Sequence, residues 1–462
     1  MYIWKFLRRY YFQLLTVILF LVPLLFLLQE NSSKAVVMIF SILFWFVCTI
    51  RTRSPVLSSI LYILITLPFN LTYQLSSSVL FFNTDPYVSG MYTNYLIPTL
   101  SILDMGLALL FMSYIYEYGF KHTRIVLKKY STVLLVFLIF LVAQNILKIS
   151  LTAVVESFRL FFFSLIIIFL IDYSKTKKHS SIRMYMLWIS TISVLIQGVL
   201  GILQFKNGNS LGLSLLGESQ VVNGMQGSSF VTLNNEVFLR AYGSFPHPNI
   251  LGGYLVMNVL LGVYLYSKSK KNYRVLSIIL IILSAIFVIF TFSRISICLV
   301  LVILLVGVLW KLIKGRLFSF TPFLFVERFT NLISGNDTSW RDRANLIKSS
   351  LNVIRNNLWF GTGLGNFTKA METDIPRTTN WVLLIQPVHN VFLLMLAELG
   401  VLGTFSYFVL MGTILRRNIS NMNIFKWLVV LTLVVIGCFD HYLFSLPQGL
   451  IIGGILYLFL VL

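Results

Sequence analysis

Long apolar runs separated by short polar stretches dominate the chain. Each run is long enough to cross the ~30 Å hydrocarbon layer as a helix, which takes about 17–25 residues. The runs are continuous rather than alternating, so they favour helices over a closed barrel, the other structure that satisfies its backbone in lipid. The pattern predicts an all-α polytopic bundle of about 12–14 transmembrane helices. The spans are expected near residues 11–28, 35–50, 54–70, 95–117, 131–147, 151–171, 184–205, 246–266, 275–292, 296–310, 389–411, 427–440 and 449–462.

Composition agrees with this pattern and narrows the class of protein. Hydrophobic residues make up 58% of the 462 residues, charged residues make up 11%, and the mean hydropathy is +0.87. Soluble domains contain about 25% charged residues, so soluble enzymes and nucleic-acid-binding proteins are excluded despite the formal net charge of +21. Cys48, Cys298 and Cys438 all lie in apolar runs and show neither a disulfide framework nor metal-ligand spacing.

The positive charges predict the orientation of the chain. Most of the 36 Lys and Arg residues form clusters between apolar runs, and such an excess marks cytoplasmic loops. We therefore expect both termini on the cytoplasmic side, with the first run as a retained anchor because no small-residue cleavage site follows it. The clusters lie at residues 5–9, 51–53, 121–129, 175–183, 268–274, 311–316 and 416–426.

Two long polar segments divide the chain into five parts. Both segments are expected outside the cytoplasm, and the second is longer than a compact connection needs to be. The parts are N-terminal helices at 1–205, an extracytoplasmic loop at 206–245, central helices at 246–326, a large extracytoplasmic loop at 327–388 and C-terminal helices at 389–462.

The large loop carries one clear periodic signal and one conflict. Apolar residues recur at helical spacing from Trp340 to Trp359, which predicts an amphipathic helix able to lie on a membrane surface. The basic residues on both sides of the loop require a crossing within 317–326, and this segment is too short for an ordinary span. We expect a thin, tilted or broken span there.

Titratable residues at the outer ends of spans are the first candidates for function, because a charge within hydrocarbon costs about 2.5 kcal/mol or more. His247, His389 and His441 all fall at such ends. His389 suits a general base near neutral pH. Asp440, next to His441, is an alternative base or an orienting partner. Glu398 follows His389 by about 2.5 helical turns on one span and is expected to support the site.

Four arginines are the second group of candidates. Arg240, Arg294, Arg341 and Arg343 lie at span ends or in loops on the predicted outer side. A guanidinium group holds phosphate through two parallel hydrogen bonds, which an ammonium group does not reproduce. Together the arginines predict an anionic substrate that arrives from the outer leaflet, and the alternative for each is an anchor to lipid headgroups.

One glycine-rich motif does not indicate a nucleotide site. Residues 361–365 read GTGLG, but they follow no strand and open no βαβ unit, so a phosphate loop is not supported. A turn after the amphipathic helix is the better interpretation.

Five segments follow one another with an order and spacing typical of a known family. They read RAYGSFPHPNILGGYL at 240–255, TFSR at 291–294, a stretch over 340–367 that ends in GTGLGNF, HNVFLLMLAELGVLG at 389–403, and DHY at 440–442 followed by Pro-Gln-Gly. The chain thereby resembles the O-antigen ligase and Wzy-type polysaccharide polymerase family over roughly residues 240–445. The segment 317–326 departs from the family pattern, in which relatives have room for a full span.

The resemblance implies a glycosyltransferase of the bacterial cytoplasmic membrane that needs no nucleotide sugar, no cofactor and no metal ion. Its donor would be an oligosaccharide on undecaprenyl pyrophosphate at the outer membrane face. Membrane lipid, a flippase and a chain-length regulator are the expected partners, and nucleic acid is not. The expected catalytic residues are His389, Arg240, Arg341 and Arg343, and the expected substrate-binding residues are Arg294, His247, Asn249, Glu398, Asp440 and His441.

Three functions stay open at the level of the sequence. A polymerase for capsule, exopolysaccharide or O-antigen would move the glycan onto another lipid-linked repeat unit, whereas a ligase would move it onto a different acceptor such as lipid A core. Abundant Ile, Asn, Lys, Phe and Tyr indicate an AT-rich genome. Many bacteria with such genomes lack lipid A, the acceptor of the ligase, so the composition favours the polymerase. A flippase or transporter of the same lipid would place polar residues along a midplane pathway and often shows inverted repeats, neither of which is apparent.

Overall fold

The computed structural model describes residues 32–75, 85–175, 179–222, 228–233, 236–268, 271–313, 338–378 and 383–461. Almost all regular structure in these ranges is α-helical. The expected span at 11–28 and the expected crossing within 317–326 lie outside the described residues.

The α-helices of the described ranges are numbered here in chain order. They are α1 Ser32–Thr52, α2 Pro55–Thr66, α3 Ile102–Lys128, α4 Ser131–Leu147, α5 Leu151–Ser174, α6 His179–Asn207, α7 Pro248–Lys268, α8 Lys271–Phe290, α9 Arg294–Ile313, α10 Thr338–Asn356, α11 Phe367–Ala370, α12 Val391–Asn418, α13 Ile424–Phe439, α14 Tyr442–Ser445 and α15 Pro447–Val461.

The apolar helices confirm the predicted class, an all-α polytopic membrane protein. Among the described residues, α1, α5, α6, α7, α8 and α12 contain segments long and apolar enough to cross a membrane. The pair α3 and α4 passes the same test as one unit bent by 84°. Shorter apolar helices are α2, the first part of α9, α13 and α15. The total number of spans stays a prediction.

Short antiparallel strand pairs occupy the connections between helices. β1 Thr72–Gln74 pairs with β4 Thr99–Ser101, which leads into α3. β2 Tyr87–Val88 pairs with β3 Met91–Tyr92. β5 Phe230–Leu233 pairs with β6 Glu236–Leu239, which leads to the segment before α7.

A buried ion-pair network joins α3 to α5. Arg159 is 4% exposed and donates hydrogen bonds from Nε and Nη2 to the two carboxylate oxygens of Asp104, at 2.8 and 2.9 Å. It also pairs with Glu156 one turn earlier on α5. Burying a lone charge is costly, and here each of the three charges has a partner of opposite sign. The network joins the two helices within the bundle.

The expected amphipathic helix is present as α10. Leu346 and Val353 lie on its buried side, whereas Trp340, Ile347 and Leu351 are exposed. This division follows from the 3.6-residue period, which places residues seven apart on one face. The exposed apolar residues are compatible with the predicted contact of α10 with a membrane surface, which stays a prediction.

Candidate active site

Arg240, Asn249 and Asp440 form a continuous chain of polar contacts at one end of the bundle. Arg240 donates from Nε to the carbonyl oxygen of Thr291 and from Nη2 to Oδ1 of Asn249, both at 2.8 Å. Asn249 then donates from Nδ2 to Oδ2 of Asp440 at 2.7 Å. The amide of Asn249 thus holds a cation and an anion at fixed positions, although Asp440 lies 191 residues further along the chain.

Two histidines flank the Asp440 carboxylate. Nδ1 of His389 lies 3.5 Å from Oδ1 of Asp440, which is ion-pair distance and longer than a hydrogen bond. The same oxygen accepts the backbone N–H of His441 at 2.8 Å. The rings of His389 and His441 are 5.2 Å apart between centroids, and Nδ1 of His441 lies 2.6 Å from Oγ of Ser445. Asp440 is therefore the centre of the cluster.

His247 uses both ring nitrogens within the protein. Its Nδ1 accepts the backbone N–H of Asn249 at 3.1 Å, and its Nε2 lies 2.9 Å from Oγ of Ser229. Since Nδ1 acts as an acceptor, the hydrogen-bond pattern assigns the ring proton of the neutral form to Nε2. His247 accordingly orients Asn249 at the start of α7 and is unsuited to act as the base.

Backbone contacts bring the separate segments together. The N–H of Ala241 donates to the carbonyl of Phe290 at the end of α8, at 2.9 Å. Asn390 caps α12 by accepting the N–H of Leu393, and its Nδ2 donates to the carbonyl of Cys438 at 3.0 Å. These bonds hold the start of α12, and with it His389, beside the end of α13 and Asp440.

The surroundings keep His247 and His441 neutral and the carboxyl ionised. Burial, reinforced by the Arg240 charge, lowers the pKa of His247 to about 3. Burial likewise lowers the pKa of His441 to about 4. Burial alone would raise the pKa of Asp440, but the contact with His389, together with the neighbouring His441 and His247, outweighs this and lowers that pKa below its ordinary value. At neutral pH the site therefore holds an aspartate beside uncharged His247 and His441.

These histidines are expected to make the fold sensitive to acid. Their folded-state pKa values lie below the unfolded value of about 6.5, so the unfolded chain binds protons first as pH falls, and stability is lost below about pH 6.5. We expect the midpoint temperature of thermal unfolding in detergent to be lower at pH 5 than at pH 7. Each of the two histidines should lower the free energy of unfolding by about 1–2 kcal/mol over this range. Asp440 adds nothing in this window, because the stability that it contributes is lost only near and below pH 4.

Replacing one histidine tests this pH dependence. His247→Gln removes one titrating group, so its midpoint should differ less between pH 7 and pH 5 than that of the unmodified protein. An equal dependence in the two proteins would contradict the assignment of a lowered pKa to His247.

The other candidate arginines occupy different positions. Arg294 begins α9, three residues after Thr291, whose carbonyl accepts the hydrogen bond from Arg240. Arg341 is exposed and Arg343 half-buried in the first turns of α10. No hydrogen bond or ion pair between described residues joins Arg341 or Arg343 to the cluster. Their participation in the site stays a prediction.

Glu398 supports a loop rather than the histidine cluster. Its carboxylate accepts hydrogen bonds from the backbone N–H groups of Gly365 and Phe367. Its carbonyl oxygen accepts the N–H of Gly363 at 3.0 Å and Nε2 of Gln144 at 2.7 Å. A direct contact of Glu398 with substrate stays a prediction, and its observed contacts are those of an anchor.

The GTGLG segment is a turn after α10, as the sequence predicts. The N–H of Gly361 donates to the carbonyl of Asn357, and that of Thr362 donates to the carbonyl of Ala397, both at 2.9 Å. The N–H of Gly363 donates to the carbonyl of Glu398. All three N–H groups therefore have acceptors within the protein and do not form a phosphate-binding loop.

A small cavity with both polar and apolar lining residues adjoins the cluster. Its volume is about 50 Å³, and Tyr95, Glu156, Glu398 and Ser445 are among the residues that line it. Ser445 also contacts Nδ1 of His441, so the cavity reaches the histidine cluster through one hydroxyl group. This volume is sufficient for water beside the site.

The same cluster has the spacing of a metal site. His389, Asp440 and His441 each offer one ligand atom, and these atoms lie within 4.8 Å of one another. Two imidazoles and a carboxylate are ligands that Zn²⁺ accepts. The geometry is therefore compatible with a cation, although the sequence led us to expect none.

Sequence reasoning missed the groups that fix the functional side chains. The Thr291 carbonyl holds Arg240, but a backbone oxygen has no signature in a sequence. Ser229 and Ser445 hold His247 and His441. Of these, only Ser445 carried a usable signal, since it lies four residues after His441, one turn apart on a helix.

Comparison with known proteins agrees with the sequence resemblance. Residues 252–408 match the family model Wzy_C, described as O-antigen ligase. The match contains Arg294, His389 and Glu398, whereas Arg240 and Asp440 lie on either side of it. No curated protein matches the chain. With its apolar helices, the chain is a multi-pass bacterial inner-membrane protein, and the match over residues 252–408 supports the O-antigen ligase and Wzy-type family and a ligase- or polymerase-type function.

Proposed function

We propose that the protein is a polysaccharide polymerase. It transfers a glycan chain from undecaprenyl pyrophosphate onto a lipid-linked repeat unit at the outer face of the cytoplasmic membrane. The observation that carries the proposal is the chain of contacts from Arg240 through Asn249 to Asp440 and His389. These contacts support the proposal because transfer from a pyrophosphate needs a cation for the leaving group and a base for the acceptor, and the proposed cation Arg240 and the proposed base His389 belong to one cluster.

The proposed reaction is a displacement at C1 of the donor sugar. The acceptor hydroxyl forms a bond to C1 while the bond from C1 to the pyrophosphate oxygen breaks, and polyprenyl pyrophosphate leaves with the electron pair. His389 takes the hydroxyl proton through Nε2, because Asp440 faces Nδ1 and favours the proton there. A single displacement predicts inversion at C1.

Arg240 is the group proposed to stabilise the leaving pyrophosphate. A fixed cation lowers the barrier most when it is oriented before the reaction, and its bonds to Thr291 and Asn249 orient the guanidinium group. Arg341 and Arg343 are proposed as further contacts of the donor, brought by α10.

Arg240→Ala is expected to lower polymer formation by about 10²–10³-fold. Arg240→Lys keeps the charge but loses the planar fork, so we expect a loss of about tenfold or more. The measurement is polymer length and yield from a purified lipid-linked repeat unit. Full activity of Arg240→Lys would show that charge alone is sufficient, and full activity of Arg240→Ala would exclude the proposed role.

The metal alternative has its own test. We expect EDTA to leave polymer formation by the purified protein unchanged, since the cluster acts in proton transfer and orientation. Asp440 already accepts hydrogen bonds from Asn249 and His441. Loss of activity with EDTA and recovery with Zn²⁺ or Mn²⁺ would identify the cluster as a metal centre instead.

A ligase is the second candidate, and the description of the matched family favours it. The donor side of the reaction is the same in both, so the acceptor decides between them. Purified protein is given the lipid-linked repeat unit with and without lipid A core. A ladder of polymer in the absence of lipid A core supports the polymerase, and product only in its presence supports the ligase.

Transport of the same lipid without chemistry is the remaining alternative. Polymer made by purified protein in detergent, without any energy source, would exclude it. A flippase and a chain-length regulator are proposed as separate partners that supply the repeat unit and set the polymer length.

A further inference from the structure

A large apolar cavity lies at the opposite end of the bundle from the candidate active site. Its volume is about 360 Å³, and it is lined by residues of α2, α3, α5, α6, α7 and α15. Helix α7 connects the two places, because it begins beside Asn249 and ends at Lys268, which lines the cavity. The 19 residues between them span about 28 Å along a helix.

The lining of the cavity is amphipathic. Its interior consists of aliphatic and aromatic side chains such as Ile63, Leu110 and Ile451. Its charged residues, Arg183 and Lys268, lie near helix ends, at the start of α6 and at the end of α7. Both belong to the basic clusters that predict the cytoplasmic side.

The depth of the cavity matches one leaflet of a bilayer. On α5 the lining runs from Phe163 to Ser174, eleven residues that rise by about 16 Å. Half of the hydrocarbon thickness is about 15 Å. An apolar chain that enters from the cationic end would therefore reach the middle of the membrane.

We propose that this cavity binds one anionic phospholipid. An acyl chain occupies the apolar interior, and the phosphate contacts Arg183 and Lys268 at its cationic end. The volume suits a hydrocarbon chain, and filling it provides dispersion contacts to the lining side chains. The two cations select an anionic headgroup, because a zwitterionic lipid leaves their charge uncompensated.

The test measures lipid binding by native mass spectrometry of the full-length protein purified in detergent. We expect phosphatidylglycerol to remain bound where phosphatidylcholine is lost. Arg183→Gln and Lys268→Gln should each weaken phosphatidylglycerol binding about fivefold, the effect of one cation near an anionic headgroup. Arg274→Gln is the matched control, since this residue belongs to the same basic cluster but does not line the cavity.

A second pair of variants tests the acyl chain separately from the charge. Leu170 lines the cavity and Leu165 does not, and both are half-buried on α5. Leu170→Trp should reduce phosphatidylglycerol binding, while Leu165→Trp should retain it. Equal binding of the two lipids by the unmodified protein would overturn the proposal. Equal binding by Leu170→Trp and Leu165→Trp would also overturn it.

Discussion

Replacing His389 with alanine is expected to reduce polymer formation by about 10²–10⁴-fold, the usual contribution of a positioned base. The reason is geometric. His389 is the histidine whose Nδ1 faces the Asp440 carboxylate at 3.5 Å, while both nitrogens of His247 are used within the protein. The experiment compares initial rates from a purified lipid-linked repeat unit, with membrane insertion checked for each variant.

Asp440→Asn tests the carboxylate that faces His389. It keeps the size of the side chain and an oxygen for the His441 N–H, but it removes the acceptor for Nδ2 of Asn249 and the charge that favours a proton on Nδ1 of His389. We expect a loss of about 10²-fold.

A second histidine–aspartate pair in the same chain provides the control. Nε2 of His122 lies 2.9 Å from a carboxylate oxygen of Asp172, between α3 and α5 and away from the cluster. His122→Ala should retain its rate. If His389→Ala and His122→Ala have the same rate as the unmodified protein, the base is not His389.

Replacing Gly400 with alanine is expected to destabilise the protein by about 2–5 kcal/mol. Gly400 interrupts α12 with φ 66° and ψ −176°, a backbone conformation that is essentially restricted to glycine. A Cβ atom there would lie 2.5 Å from both the N of Gly361 and the carbonyl oxygen of Trp359. These are backbone atoms, so no side-chain rotation relieves the contact. The measurement is the midpoint of thermal unfolding and the yield of monodisperse protein.

Gly412 is the matched control on the same helix. It has regular helical geometry within α12, and a Cβ atom added there would have no neighbouring atom within 4 Å. Gly412→Ala should therefore raise stability slightly, by about 0.5–1 kcal/mol. Equal midpoints for Gly400→Ala and Gly412→Ala would show that the close approach of the turn to α12 does not hold in the protein.

Local sequence patterns predicted much of the helical structure. The expected spans at 131–147 and 151–171 correspond closely to α4 and α5, and the periodic stretch after Trp340 corresponds to α10. These predictions succeeded because hydrophobic periodicity is set by residues a few positions apart. The break in α12 was not predicted, because Gly400 adopts its conformation only where the 357–363 turn packs against it.

The site was predicted in part. The sequence selected His389, Arg240, Asn249 and Asp440 as candidates, but not the order in which they contact one another. Asp440 was expected to be an alternative base or an orienting partner, and its contacts with Asn249, His389 and His441 favour the orienting role. Glu398 was grouped with the substrate-binding residues, and its observed contacts are to the GTGLG turn.

By itself the sequence determined that this is a helical membrane protein and which residue types could bind an anion or move a proton. Both follow from short-range requirements: an apolar run must be continuous to cross lipid, and only certain side chains carry a permanent charge or titrate near neutrality. Only the tertiary structure decided which candidates share one site, because Asn249 and Asp440 meet across 191 residues. The packing of α7, α12 and α13 produces that contact, and no local pattern encodes how distant helices pack together.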